Sequence, residues 1–144
     1  MASATVLYTP QVLALATSLA ALPLDETLPL QTTTRSKSCG STLTLGLATG
    51  PDGAIARVGL KAHACAIGQA AAAIFAQGAP GRSPADIAKA EAGLADWLSG
   101  TGAQPDWPGL ELLAAARAYP ARHGAIKLAW MAARELLPTD GLPR

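Results

Sequence analysis

Apolar residues first recur at helical spacing. Val12, Leu13, Leu15, Ala16 and Leu19 fall on one helical stripe. Thr9-Pro10 supplies an N-cap and a proline at the first helical position, and Pro23 is expected to end the helix. The period then changes to two. Over 27–34, Leu28, Leu30, Thr32 and Thr34 share one face of a predicted strand. Residues 35–38 form a polar turn into Cys39. Over 42–49, Leu43, Leu45 and Leu47 again alternate, Gly50-Pro51-Asp52-Gly53 signals a turn, and 55–61 returns as a third strand. Helical signals resume at Cys65 and run to about Gln77, where Gly78 and Pro80 stop them. Ser83-Pro84-Ala85-Asp86 reads as a capping box opening a helix that runs to about Ser99 and ends at Gly100. Residues 101–108 form a Gly/Pro-rich loop and 110–118 a short helix. Pro120 opens the last helix, which runs to about Leu137.

Helix, three strands, then helices predict an α+β fold: a three-stranded antiparallel sheet with helices packed on one side. At 144 residues the chain suits one domain, 1–144, with 136–144 as a loose tail. Half the residues are hydrophobic, enough for a core at this length. Much of that half is alanine and only 4% of residues are aromatic, so close packing of small side chains is expected. A formal charge of +1 with no run of Lys or Arg gives no footprint for nucleic acid. The apolar stretch 11–24 lacks the basic flank of a signal peptide, because Arg35 is the first basic residue. It is also short for a membrane span and is cut by Pro23. Two cysteines are too few for a disulfide scaffold. A single Cys39–Cys65 bridge is open to the chain, but nothing else indicates secretion. The expected setting is cytoplasmic and reducing, away from membranes.

Candidate chemistry gathers at four residues. Cys39 lies in the turn between the first two strands, beside Gly40, which permits a tight or left-handed backbone. Cys65 lies where the third strand hands over to a helix, and a helix N-terminus favours negative charge at sulfur. The hairpin can bring both to one end of the sheet. His63, two residues before Cys65, faces the same side of an extended chain. His123 falls in the first turn of the last helix. Against these stand bland readings: a buried cysteine is often only a small apolar side chain, and a lone histidine is usually not a ligand. Trp97, Trp107 and Trp130 read as core or partner-facing anchors. Gly78-Ala79-Pro80-Gly81-Arg82 is an inter-helix turn, lacking the Lys-Ser/Thr of a phosphate loop.

Three blocks then carry a resemblance. Cys39-Gly40-Ser41, just before the hairpin, resembles the C-G-D of the IscU/SufU/NifU N-terminal family of iron–sulfur cluster assembly scaffolds. Residues 61–70, reading Lys-Ala-His-Ala-Cys-Ala-Ile-Gly-Gln-Ala, resemble that family's G-C-A-I-S-x-A-S after the hairpin. Ala118-Tyr119-Pro120-Ala121-Arg122, followed by Lys127-Leu128-Ala129-Trp130, resembles F-P-A-R-x-x-C-A-x-L-A-W and is most similar to the SufU-like branch. The match covers about residues 5–137, with the blocks in family order. It implies the SufE/NifU-like fold and a scaffold or sulfur-acceptor role. It also implies binding of iron or a transient Fe–S cluster, and work with a cysteine desulfurase and cluster-acceptor proteins.

The departures are equally specific. In the family, three cysteines and the Asp of C-G-D hold zinc or a nascent cluster. Here Ser41 stands at the Asp, Ala125 at the third Cys, and Gly68 at the Ser after the second Cys. Cys39 and Cys65 remain as cofactor ligands, and two thiolates leave a four-coordinate site half empty. In the IscU-type branch a His directly precedes the third Cys. His63 and His123 are therefore the candidates to complete a metal set of Cys39, Cys65, His63 and His123 for zinc or a [2Fe–2S] cluster. Sharing a cluster across a homodimer is the other way to complete it. The alternative function is a degenerate homologue that binds zinc or assembly partners without building clusters. A third reading is an unrelated Ala-rich interaction domain with both cysteines structural. No catalytic triad, carboxylate pair or metalloprotease helix is present, so the expectation is a non-enzyme.

Overall fold

The computed structural model describes residues 7–37 and 40–138. Helix α1 (Pro10–Ser18) starts as its sequence dictates: the Thr9 hydroxyl accepts the Val12 N–H at 3.2 Å. It ends earlier than expected. The Thr17 and Ser18 hydroxyls bond back to carbonyls one turn earlier, and the chain tightens into a 3-10 turn, Leu19–Ala21, before Pro23.

Strands β1 (Leu30–Arg35), β2 (Thr42–Thr49) and β3 (Ile55–His63) form an antiparallel sheet in that order. The hairpin turn closes with Gly50 N–H on the Ala54 carbonyl at 2.9 Å and Gly53 at φ +84. Leu43, Leu45 and Leu47 are buried, as their alternation predicts, and Leu60 stands opposite Leu45 on the same face.

Leu28 departs from the alternation. Residues 27–29 precede β1 instead of belonging to it, and Leu28 lies on the opposite face from Leu30. The cause is a strap. Residues 23–28 cross the outer face of the sheet over Gly46 and Gly59, which pair across β2 and β3. A Cβ on Gly59 would stand 2.5 Å from the Pro23 carbonyl oxygen, and one on Gly46 would stand 2.8 Å from Leu28 Cδ1. Two facing glycines therefore make the seat for the strap. Leu28 is 4% exposed there, outside the main core. The Leu60 N–H bonds the Leu22 carbonyl, so the same connection also satisfies part of the β3 edge.

Helices α2 (Ala66–Gly78) and α4 (Pro120–Leu136) lie on the inner face of the sheet, with α1 packed on α2 and α3 (Pro84–Ser99) on α4. Helix α2 is buried almost throughout from Ile67 to Ala76, which explains its alanines: a helix covered on several sides needs small side chains. Phe75, Trp107 and Trp130 meet with ring centroids 5.4–5.5 Å apart, and Trp107 donates to the Ile74 carbonyl. Helix α3 carries the expected capping box, Ser83 with Asp86, and ends at Gly100 with φ +86. Residues 110–118, expected as a short helix, form a 3-10 segment. It is confined between left-handed Gly109, which gives no side-chain cap, and Pro120. Helix α4 runs to Leu136 and Leu137 is buried beyond it, so the chain stays packed where a loose tail from 136 was expected. Residues 139–144 lie outside the described residues.

Candidate functional site

Cys65 is the N-cap residue of α2, where β3 hands over to the helix, with φ −64 and ψ 169. The junction is held by Gln69. Its backbone N–H donates to the Cys65 carbonyl and its side-chain amide to the Ala64 carbonyl, both at 2.9 Å. The thiol makes no cap bond, is half-buried and is in no disulfide. The sequence placed this residue correctly because strand period and helix period meet there.

Cys39 lies outside the described residues. The backbone flanking it forms a closed turn: the Ser36 N–H donates to the Ser41 carbonyl at 2.8 Å, and the Gly40 N–H to the Ser36 carbonyl at 3.1 Å. Gly40 has φ +72, the left-handed conformation expected of it. Ser41, at the family's Asp position, is 8% exposed.

Ala125 is 2% exposed and packs beside the first turn of α2. A Cβ on Gly68 would stand 3.1 Å from the Ala125 Cβ and 2.8 Å from the Ala64 Cβ. The position assigned by resemblance to the third cysteine therefore stands beside Gly68, one turn along the chain from Cys65, and presents a methyl group. Gly68 is what lets α2 and α4 approach so closely.

The two histidines go elsewhere. His63 is exposed at the end of β3, level with Thr42 on β2 and Arg35 on β1. The His123 Nε2 lies 3.0 Å from the Arg117 carbonyl oxygen, tying α4 to the end of the 3-10 segment. Arg117 in turn donates to the Trp97 carbonyl and stacks on the Trp97 ring. His123 thus satisfies a segment-terminal carbonyl. Among the described residues no three of His, Cys, Asp and Glu gather where they could hold a metal ion. Cys65, His63 and His123 are therefore not brought together. A resident zinc ion needs four donors, and the described residues do not supply that set.

No family model and no curated protein matches the chain. Solved structures do. The N-terminal domain of a nitrogen-fixing NifU-like protein from Brucella abortus is 26% identical over 91% of this chain and 92% of its own, with a TM-score of 0.79. A putative iron–sulfur cluster assembly scaffold protein for the SUF system, from Fervidobacterium islandicum AW-1, is 18% identical over 94% and 99%, with a TM-score of 0.81. A protein described only as hypothetical is 18% identical over 88% and 96%, with a TM-score of 0.62. The chain thus has the fold of the NifU-like and SUF-system scaffold structures, with the three sequence blocks in the order that the resemblance implies.

Proposed function

We propose that the chain acts in iron–sulfur cluster assembly as a scaffold-type sulfur acceptor. Cys65 is the receiving thiol, Cys39 the second thiolate, and a cysteine desulfurase the sulfur donor. The observation that carries this reading is the half-buried, unbridged Cys65 at the strand-to-helix junction of a NifU-like fold. In the transfer step, the Cys65 thiolate attacks the outer sulfur of the donor's cysteine persulfide. One S–S bond forms as the other breaks, the donor cysteine leaves as thiolate, and no net oxidation occurs. Iron and the nascent cluster are cargo. Two thiolates per chain leave further ligands to come from a partner or a second copy. The setting proposed is the cytoplasm; among the described residues no helix is long and apolar enough to cross a membrane.

The test is anaerobic reconstitution with ferrous iron and sulfide, reading visible absorption and iron per chain. Cluster bands that Cys65→Ala and Cys39→Ala each abolish support the reading, and a wild type that retains no iron overturns it. The buried Ala125 favours a second reading: a homologue that engages assembly partners without building clusters. Ala125→Cys separates the two. Iron retention gained only in that variant supports the second reading.

A further inference from the structure

The outer face of the sheet is divided. Its middle is covered by residues 23–28, whereas its end beside Cys65 has no covering segment among the described residues. The outward positions at that end follow from the register. Arg35, Thr42 and His63 form one row, and Thr33, Thr44 and Lys61 the next. The Thr33 and Thr44 hydroxyls are bonded to each other at 2.8 Å, so they present a flat polar floor. Arg35, Lys61 and His63 are exposed around it. Lys37 follows in the connection after β1.

Among the described residues no carboxylate pairs with these cations, and the acidic Asp25 and Glu26 lie in the strap over the middle of the face. Asp52, in the hairpin turn at the opposite end of the sheet, is the only Asp or Glu between Glu26 and Asp86. The same stretch contains Arg35, Lys37, Arg57, Lys61 and Arg82. Arg57 is directed to the strap, where it reaches Thr27, and Arg82 stacks on Trp107 on the helical side. Among the described residues the one ion pair is Arg134–Glu91, between α3 and α4, so neither Arg35 nor Lys61 is in an ion pair. Two unpaired cations on a threonine-floored sheet end favour a protein surface over a small ligand, and neither the cavity beside Arg82 and Asp86 nor the one beside Pro23 and Arg57 is lined by these residues. Nucleic acid is disfavoured because no aromatic side chain stands on the face to stack a base.

We infer that this open sheet end, with Arg35 and Lys61 as its charged contacts, docks an acidic surface of the protein that delivers sulfur to Cys65. The identity of that partner rests on the function proposed above; the face and its sign rest on register and charge. His63 is two residues from Cys65, so a partner seated here has its edge at the thiol. Opposite charge at such a site speeds encounter and selects orientation, and its contribution is salt-sensitive.

The experiment is a binding titration against the cysteine desulfurase encoded in the same genome, at two salt concentrations. It compares the wild type with Arg35→Glu/Lys61→Glu and with Lys89→Glu on α3 as a charge control. Circular dichroism melting checks that each variant folds. The double reversal is expected to weaken binding about tenfold at low salt and to flatten the salt dependence, with Lys89→Glu like the wild type. Unchanged binding by the double reversal overturns the inference, as does an equal loss in Lys89→Glu, which would mark a bulk-charge effect. A wild type that does not bind the desulfurase, or that binds an oligonucleotide equally well at this face, also overturns it. Iron retention on anaerobic reconstitution separates the two claims. The double reversal keeps it if the scaffold reading stands, whichever way docking turns out.

Discussion

The two halves of the outer sheet face are built from the same three strands and meet opposite fates. In the middle, Gly46 faces Gly59 across β2 and β3, and the strap lies against bare backbone with Leu28 buried on it. One residue pair further along in the same orientation, Thr44 faces Lys61, and the face is open. Side-chain volume makes the difference: removing two Cβ atoms lets a connection lie on the sheet, and adding a threonine and a lysine keeps it off. The covered half adds apolar burial to the fold. The open half leaves charge available to a partner, next to the thiol.

Filling the covered half is the strongest way to break this contrast. Gly59→Val directs a Cβ at the Pro23 carbonyl oxygen, a backbone atom that cannot swing aside. It should cost about 3 kcal/mol or lift the strap, read by urea denaturation and by amide exchange at Leu60, whose N–H bonds the Leu22 carbonyl. Leu28→Ala removes the buried side chain while leaving the glycines, and should cost about 2–3 kcal/mol in the same titration. Gly46→Ala meets mainly the flexible ends of Leu24 and Leu28, so a loss of about 1 kcal/mol is expected. Equal losses for Gly46→Ala and Gly59→Val would show that the strap yields as a unit and would remove the distinction between side-chain and backbone contact.

The strap also carries a small pH response. The Thr27 N–H donates to the Asp25 carboxylate at 2.8 Å, and this bond holds the Asp25 carboxyl below the usual carboxylate range, with Arg57 adding a minor pull. A depressed acid contributes stability above its unfolded-state value, and that contribution fades as pH falls through its folded-state value. The Thr27 amide shift in an NMR titration should therefore move at lower pH than a free aspartate predicts, and Asp25→Asn should abolish the movement. On the open half, Arg35→Ala and Lys61→Ala should each change stability by less than about 0.5 kcal/mol, because neither cation has a partner within the described residues. A larger loss in the same melts would mean that the open half is part of the fold's own support.

Much of this molecule can be read from its residues. Thr9, Ser83 and Pro120 mark helix starts, the Leu43–Leu45–Leu47 alternation marks the buried face of β2, and Cys65 sits where one period gives way to the other. These features are local, and backbone sterics with amphipathic period decide them. The candidate site was legible only in part. Gly68, one turn after Cys65, and the methyl of Ala125 come together through α2 and α4. His123 was a reasonable ligand candidate by sequence distance, yet its imidazole meets the Arg117 carbonyl because the 3-10 segment ends there. Leu28 read as a continuation of the β1 alternation, but it belongs to the opposite face because the strap crosses first.

The sequence by itself determined the element order, the caps, the hairpin and the thiol at a helix start, since each depends on neighbours a few residues away. Tertiary structure decided which glycines form a seat, where each histidine goes and that Arg35 and Lys61 share one open face. Lys61 and Arg35 are too far apart in sequence to read as a basic patch. Antiparallel register places them two strands apart, because hydrogen-bonded strands align residues by pairing and not by chain distance.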